Sequence, residues 1–218
     1  MVDFAAARLN MVESQLRTNK VTHAALLDAF ESTPREVFVP ESRRGIAYVD
    51  EDIEIGPGRY LMEPMVLARL LQAANPGPAD VVLDIGCGTG YATALVARLA
   101  ATVVALEDDP DLAAIATRTL AELGVDNAVV VTGNLSEGYP AQAPYNVILI
   151  DGGVAEVPEA ISRQLADGGR LITVVKDSGN IGRATLVERF GDVISGRVLF
   201  DAAVPVLPVF QKAPGFVF

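Results

Sequence analysis

The feature that most constrains the fold is the stretch of residues 81–91, VVLDIGCGTGY, where an apolar run meets an acidic residue and then closely spaced glycines. The apolar run is typical of a buried strand, and the small apolar residues of 92–100 follow the pattern of a helix. A strand, a glycine turn and a helix in this order predict the first crossover of a parallel α/β sheet. Glycine suits such a turn because it lets the backbone approach a ligand or adopt dihedral angles closed to other residues.

The spacing of these glycines indicates the kind of ligand that the turn binds. Gly86, Gly88 and Gly90 form G-x-G-x-G, whereas a dinucleotide site requires G-x-G-x-x-G to seat a pyrophosphate. Tyr91 stands where the last glycine of that fingerprint would be. Asp84 precedes the turn, where a carboxylate repels a phosphate and favours a cation. The pattern favours a nucleoside-like ligand that lacks phosphate and carries positive charge, a description that S-adenosylmethionine (SAM) fits.

A second acidic residue supports the same interpretation. Residues 102–106 predict the next strand, which ends at Glu107, about 20 residues after the glycine turn. A carboxylate at this position accepts hydrogen bonds from ribose hydroxyls. The acidic residues and the glycine turn together resemble the class I SAM-dependent methyltransferases. A generic α/β protein is a weaker alternative, and a nicotinamide-dependent enzyme is weaker still because of the glycine spacing.

Composition excludes several classes of function. The chain of 218 residues has a mean hydropathy of +0.33, which suits one ordered globular unit. Its net charge of −11 disfavours nonspecific binding to nucleic acid, which needs a basic face. No apolar run is long enough to cross a bilayer and the first residues lack the pattern of a signal peptide, so we expect a cytoplasmic protein. With Cys87 as the single cysteine and His23 as the single histidine, no metal site is expected.

Periodicity and turn residues predict the remaining elements. Two helices occupy residues 1–33, with a break at 19–20 and with Thr22 as the N-cap of the second helix. After an irregular segment, Pro64 suits the first turn of another helix, and residues 75–78 read as a hinge into the sheet. Further helices are expected at 110–123 and 156–165, strands at 128–132, 145–150 and 170–175, and an antiparallel pair at 184–190 and 193–199.

Short motifs in the first half of the chain resemble one family in particular. The runs QLR at 15–17, PREVFVP at 34–40, AYVD at 47–50 and IGPG at 55–58 have the order and spacing found in protein-L-isoaspartate O-methyltransferases. The likeness continues through the glycine turn to about residue 175, and so covers most of the chain. It implies an α/β fold with a Rossmann-like class I methyltransferase sheet, mostly parallel with the last strand antiparallel. It also implies an N-terminal helical and loop cap of residues 1–75, packed on a SAM-binding core of residues 76–218 as one compact unit.

The resemblance assigns parts of the cofactor to particular residues. Glu107 holds the ribose, and Asp84 with the glycine turn holds the methionine part. Asn134 and Leu135 border the adenine; the family usually has an aspartate at the first of these positions, but an amide oxygen can accept the same hydrogen bond. The complete set of expected cofactor-binding residues is Leu61, Met62, Asp84, Ile85, Gly86, Cys87, Gly88, Gly90, Tyr91, Glu107, Asp108, Asn134, Leu135 and Asp151.

The reaction that the resemblance implies is methyl transfer from the SAM sulfonium to the isoaspartyl carboxylate of a damaged protein. This acceptor has a pKa of about 4 and is already ionised at neutral pH, so the reaction needs no general base. The enzyme then works by positioning and desolvating the reactants. The expected partners are a protein or peptide bearing isoaspartate, or a small-molecule acceptor, with neither nucleic acid nor membrane.

The acceptor motif departs from the family pattern. Where the family has Gln-Thr-Ile-Ser-Gln-Pro, this chain has RYLMEP. Met62 stands at the serine position, and its thioether cannot donate a hydrogen bond. Tyr60 offers a hydroxyl from a longer side chain, and Arg59 offers a clamp for a carboxylate through two parallel hydrogen bonds. Glu63 instead adds a charge that repels an anionic acceptor.

Asp151 is a further departure, since the family generally has a small neutral residue at this strand end. We therefore regard Arg59, Tyr60, Met62 and Asp151 as the candidate acceptor-site residues. Two alternatives to isoaspartyl methylation stay open. One is transfer to a hydroxyl or amine, with the Asp151 carboxylate as general base. The other is a SAM-binding protein with little isoaspartyl turnover, which the loss of the serine at Met62 favours.

Overall fold

The computed structural model describes residues 3–176 and 181–211. Its strands are β1 Ile53–Gly56, β2 Arg59–Leu61, β3 Val81–Ile85, β4 Thr102–Glu107, β5 Ala128–Thr132, β6 Tyr145–Val154, β7 Leu165–Val175, β8 Gly182–Phe190 and β9 Val193–Ala202. Its α-helices are α1 Phe4–Met11, α2 Ala24–Ser32, α3 Pro64–Ala74, α4 Tyr91–Ala97, α5 Pro110–Glu122 and α6 Glu159–Ser162. β1 and β2 form a hairpin, and the other seven strands form one sheet in the order β5-β4-β3-β6-β7-β8-β9.

The parallel half of this sheet confirms the crossover predicted from the glycine turn. β3 runs parallel to both β4 and β6, and β5 and β7 extend the parallel sheet on either side. After β3 the chain adds β4 and β5 on one side of it and then crosses to the other side to add β6 and β7. The direction of strand addition therefore reverses between β3 and β6. Ligands of open α/β sheets bind at such a reversal, outside the carboxyl ends of the strands. This topology places the ends of β3, β4 and β6 around one crevice.

The second half of the sheet follows the expected pattern with shifted boundaries. β8 runs antiparallel to both β7 and β9, so the predicted antiparallel pair is present. The helix predicted at 156–165 is wrong in length, because α6 covers only Glu159–Ser162 and begins after Pro158. β7 accordingly begins at Leu165, which pairs with Tyr145 of β6. Pairing with β6 therefore takes Leu165, which the local pattern assigned to the end of a helix.

The N-terminal cap consists of two helical segments joined by a sharp turn. α1 continues as a π-helix, Val12–Leu16, and a 3-10 helix, Arg17–Asn19, which ends at Lys20 with φ of 65°. The predicted N-cap of α2 at Thr22 is wrong by one residue. His23 is the N-cap, and its Nδ1 accepts a hydrogen bond from the Leu26 backbone N–H at 3.2 Å.

The cap and the sheet share one apolar core. Phe30 of α2 lies with its ring centroid 6.2 Å from that of Tyr91, at the start of α4, and Phe38 lies 5.3 Å from the same ring. Arg170 contacts the chain beside residues 75–78, the predicted hinge. Its Nε donates to the Ala74 carbonyl at 2.6 Å, and its guanidinium also pairs with Asp80. The domain boundary at residues 75 and 76 stays a prediction.

In residues 3–176 and 181–211, no helix has the length and apolar character needed to span a membrane. Within the same residues, no group of three or more His, Cys, Asp or Glu side chains is arranged to hold a metal ion.

Candidate cofactor and acceptor site

The glycine turn after β3 has a backbone that side chains would strain. Gly86, Gly88 and Gly90 have φ of 77°, 56° and 96°, in the left-handed region that favours glycine. The Gly86 backbone N–H donates to the Leu106 carbonyl at 2.8 Å, which ties the turn to the end of β4. The turn thus lies directly over the end of the neighbouring strand, where the next acidic residue stands.

That residue, Glu107, is fully buried and held by the backbone. Its carboxylate accepts hydrogen bonds from the N–H groups of Gly88 at 2.7 Å, Asp108 at 3.0 Å and Asp109 at 3.1 Å. These three backbone donors hold the carboxylate beneath the turn. Its position at the strand end is the one from which we expected it to bind a ribose.

Arg59 lies on this same carboxylate. Its Nη2 donates to Glu107 Oε2 at 2.6 Å, its Nη1 donates to Oε1, and Nη1 also donates to Asp108 Oδ1 at 2.9 Å. A two-pronged contact between guanidinium and carboxylate is among the stronger hydrogen-bonded pairs. Arg59, which we expected to bind an acceptor carboxylate, thus binds Glu107, the residue predicted to bind the ribose.

Two buried carboxylates border the same crevice. Asp84 accepts a hydrogen bond from Thr93 Oγ1 at 2.6 Å through Oδ2, while its Oδ1 is buried without a partner among the described residues. Asp151 Oδ1 is likewise buried and unpartnered there. Burial raises the pKa of Asp84 to about 7, and burial together with the charge of Asp84 raises the pKa of Asp151 well above its usual range. A cation between them would compensate both oxygens, because an unpaired buried charge is costly.

Apolar side chains of the protein fill the space over the glycine turn. Leu207 Cδ1 lies 3.0 Å from the position that a Cβ on Gly86 would take, and Leu207 Cγ lies 2.6 Å from that of a Cβ on Gly152. Ile55 Cδ1 lies 2.7 Å from the corresponding point on Gly88. The volume that these glycines leave free is therefore taken by Leu207 and Ile55 in this structure.

The acceptor side is a small cavity beside the crevice. It measures about 10 Å³, room for about one water molecule. Tyr60, Met62 and Asp151 line it together with Asp52 and Leu207, so three of the four candidate acceptor residues meet here. Tyr60 contributes the one hydroxyl of this lining. The fourth candidate, Arg59, is absent from the lining.

Further acidic groups lie next to this cavity. Asp52 Oδ1 accepts a hydrogen bond from the Glu63 N–H at 2.9 Å, and Asp50 Oδ1 accepts one from the Met65 N–H at 3.2 Å. Burial, followed by the charges of Asp52, Asp50 and Glu51, raises the pKa of Glu63 to about 7. The acceptor side is consequently acidic, a poor environment for an anionic acceptor.

The remaining predicted cofactor residues fall into two groups. Asn134 is exposed, and its Oδ1 accepts from the Ser136 N–H at 3.0 Å while its Nδ2 donates to Glu137, so its amide caps a short 3-10 turn. By contrast, the chain buries Leu61, Ile85, Cys87, Tyr91 and Leu135. Burial raises the pKa of the Cys87 thiol well above its usual range, which keeps the thiol unreactive. For these positions, contact with a cofactor stays a prediction.

The sequence singled out neither Arg35 nor Leu207, although both border the site. Arg35, within the PREVFVP motif, is fully buried; its Nε donates to the Ala47 carbonyl at 2.7 Å and its Nη2 to the Met62 carbonyl at 2.8 Å. It therefore fixes the backbone that carries Met62. Its place within the PREVFVP motif was the sequence signal that could have indicated this role. Leu207 follows the last strand, in a stretch whose pattern gave no signal.

The chemistry of these groups fits SAM. A carboxylate held at the end of β4 suits ribose hydroxyls, and the unpartnered oxygens of Asp84 and Asp151 suit the positive charges of the methionine part. Arg59 and Leu207 lie in part of this space in the structure. With the sheet topology, this donor set defines the class of the protein, a class I SAM-dependent methyltransferase.

Comparison with known proteins identifies the family. The model of the family described as Protein-L-isoaspartate(D-aspartate) O-methyltransferase (PCMT) matches residues 7–206. The chain is 41% identical to the protein-L-isoaspartate O-methyltransferase of Koribacter versatilis (strain Ellin345), over 80% of this chain and 79% of that protein. It is 36% identical to that of Roseiflexus castenholzii (strain DSM 13941 / HLO8), over 94% of each chain. The chain belongs to the PCMT family.

Solved structures agree with this assignment. A protein-L-isoaspartate O-methyltransferase superimposes with a TM-score of 0.79 at 27% identity, covering 91% of this chain and 65% of that one. A second structure, from Plasmodium falciparum and in complex with S-adenosyl-L-homocysteine (SAH), superimposes with the same TM-score at 19% identity and supports the fold alone. The expected fold class and the expected enzyme class are both confirmed.

Proposed function

We propose that this protein transfers the methyl group of SAM to the free carboxylate of isoaspartyl residues in damaged proteins, and that it does so in the cytoplasm. Membership of the PCMT family over residues 7–206 supports the reaction. The observation that carries it is Glu107, fixed by three backbone N–H groups beside a left-handed glycine turn. The cytoplasmic location rests on the sequence alone.

The side chains divide the work between the two reactants. Glu107 would hold the ribose, and Asp84 and Asp151 would face the charged methionine part. When bound, SAM supplies an electrophilic methyl group. The acceptor carboxylate is already ionised, so the protein has to orient it and exclude water rather than remove a proton. Met62 provides an apolar wall for this, and Tyr60 the hydroxyl that can donate to the acceptor.

A transfer assay with tritiated methyl groups tests this proposal. An isoaspartyl peptide should acquire label that alkali releases, as expected of a methyl ester, while the matched aspartyl peptide should stay unlabelled. Label on both peptides, or on neither, would contradict isoaspartyl selectivity. A cell extract treated in parallel reports whether any other macromolecule accepts the methyl group.

One observation favours a second candidate, transfer to a hydroxyl or amine. Asp151 lines the acceptor cavity, its Oδ1 has no hydrogen-bond partner among the described residues, and its pKa is raised, which suits a group that takes up a proton. Once ionised beside the positive charges of SAM, the same carboxylate would repel an isoaspartyl anion. Two unit charges about 4 Å apart interact by roughly 4 kcal/mol at an effective dielectric of about 20. A repulsion of half that energy would slow methyl transfer more than tenfold, because about 1.4 kcal/mol changes a rate by a factor of ten.

The double variant Met62→Ser with Asp151→Ala distinguishes the two acceptors. It introduces a hydroxyl and removes the repelling charge, so at a SAM concentration that saturates each protein we expect at least a tenfold gain in rate on the isoaspartyl peptide. Asp126→Ala, at an exposed position, removes the same charge away from the cavity and should leave the rate unchanged. If the wild type already turns over the peptide rapidly and the double variant gains nothing, the second candidate is wrong.

A further inference from the structure

Arg59 and Leu207 occupy the crevice in which the cofactor is expected to lie. Arg59 is 5% exposed and Leu207 is 4% exposed, so both are enclosed by the protein. They approach from different parts of the chain, one from β2 and the other from the segment after β9. Their contacts lie on the groups that the proposed function assigns to the ribose and to the methionine part.

The hydrogen bonds of Glu107 show why Arg59 and a ribose exclude each other. An ionised carboxylate offers about four lone-pair sites. Here five N–H donors point at it: two from Arg59 and one each from Gly88, Asp108 and Asp109. The carboxylate is saturated, and a ribose hydroxyl finds an acceptor site only after Arg59 withdraws. The three backbone donors keep Glu107 in place when that happens.

Leu207 blocks the other end of the crevice in a comparable way. Its side chain packs tightly on Gly86 and leaves no room for a Cβ on Gly152. The backbone holds it there, because the Leu207 N–H donates to the Gly153 carbonyl at 2.9 Å and the Gly153 N–H donates to the Pro205 carbonyl at 2.8 Å. Access to the turn therefore requires Leu207 to swing away or residues 205–207 to leave the end of β6.

We propose that Arg59 and Leu207 form an internal plug that competes with SAM for its crevice, so that Arg59 sets the affinity for the cofactor. This inference rests on the proposed SAM-dependent function and adds a self-inhibited resting state to it. A ligand that binds only the open form has its affinity reduced by the fraction of molecules that are open. Removing the plug raises that fraction and tightens binding without any new contact to the ligand.

Titration calorimetry with SAH tests the plug independently of turnover. The variants are Arg59→Gln, Leu207→Ala and their combination. Arg43→Gln is the charge-matched control, since Arg43 pairs with Glu54 in an exposed contact near the same hairpin. We expect a dissociation constant at least tenfold lower for Arg59→Gln, a smaller decrease for Leu207→Ala, the lowest value for the combination, and no change for Arg43→Gln.

Wild-type affinity in Arg59→Gln and in the combined variant would overturn the plug while leaving the cofactor assignment intact. Weaker binding by Arg59→Gln would overturn it too, because Arg59 would then help to hold the ligand. No binding by any variant would also overturn it, since the plug would not be what excludes the cofactor. The separate methyl-transfer assay would decide the proposed function in that case. Should Arg59→Gln fail to fold, Leu207→Ala still gives a result, because its side chain carries no charge.

Discussion

The ion pair between Arg59 and Glu107 should dominate the stability of the region around the crevice. Both side chains are almost fully buried, at 7% and 0% exposure, and two hydrogen bonds join them. The perturbation is a double-mutant cycle with Arg59→Gln, Glu107→Gln and the double variant. Glutamine preserves much of each side chain's bulk while removing its charge, so the cycle isolates the interaction between the two charges.

The expected magnitudes follow from what each single variant leaves behind. Removing one partner of a buried pair costs about 3–5 kcal/mol, because the other charge stays buried and uncompensated. Arg59→Gln should fall near the lower end, about 3 kcal/mol, since three backbone N–H groups still hold Glu107. Glu107→Gln should cost less, about 2 kcal/mol, because Arg59 keeps its contact with Asp108 at 2.9 Å.

Urea denaturation of the four proteins measures the coupling between the two residues. We expect the double variant to be more stable than the sum of the two single effects predicts, by at least about 1.5 kcal/mol. The pair Glu159 and Arg163, at 2.5 Å and more than 70% exposed, is the control, and its cycle should give only a few tenths of a kcal/mol. A coupling below about 0.5 kcal/mol at the buried pair would refute the reasoning, because charges so enclosed cannot be independent.

Three further predictions concern the cofactor and the acidic acceptor side. SAM or SAH should raise the melting temperature while NAD at the same concentration leaves it unchanged, and stabilisation by NAD alone would overturn the cofactor assignment. In the Arg59→Gln background, Glu107→Ala should weaken SAH binding by more than about 1.5 kcal/mol by calorimetry, and equal affinity would remove Glu107 from the site. Folding raises the pKa of the Glu63 carboxyl from 4.5 to about 7. Between these pH values the folded protein holds a proton that the unfolded chain has released, so the stability that this proton contributes is lost as the pH rises through this window. Glu63→Gln should therefore be more stable than wild type at pH 8, by about 1 kcal/mol after solvent screening, and equal to it below pH 4.5 in denaturation curves; the same gain from the exposed control Glu31→Gln would refute the assignment.

Local chemistry in the sequence was enough to predict the centre of the fold. The strand over Val81–Ile85 and the turn after it contain an apolar run and glycines in left-handed conformations, and both signals are visible in neighbouring residues of the sequence. Glu107 was found in the same way, because a carboxylate at the end of the second parallel strand lies beside the turn whatever the rest of the chain does. The acidic acceptor side was also readable, since Asp151 and Glu63 follow recognisable elements.

Boundaries that depend on pairing were not readable from the sequence. Residues 156–165 have the apolar spacing of a helix, yet the chain keeps only Glu159–Ser162 helical because Leu165 pairs with Tyr145. The N-cap of α2 is His23 rather than the predicted Thr22 for a similar reason. The Gln72 side chain accepts hydrogen bonds from the backbone N–H groups of both residues, at 2.7 and 3.1 Å, which fixes the chain just before the helix. In both cases a contact between distant residues accompanies the departure from the local prediction.

What the sequence determined by itself is therefore the set of groups at the site, and what the tertiary structure decided is which of them meet. Arg59 carries a fork that fits any carboxylate, so its residue type alone left open whether it clamps an acceptor or the protein's own Glu107. The sequence does not distinguish Leu207 from the other leucines, and only the fold of the segment after β9 places its side chain against Gly86 and Gly152. The physical reason is that hydrogen bonds and packing act over a few ångströms, and only the folded chain brings residues that are dozens of positions apart within that range.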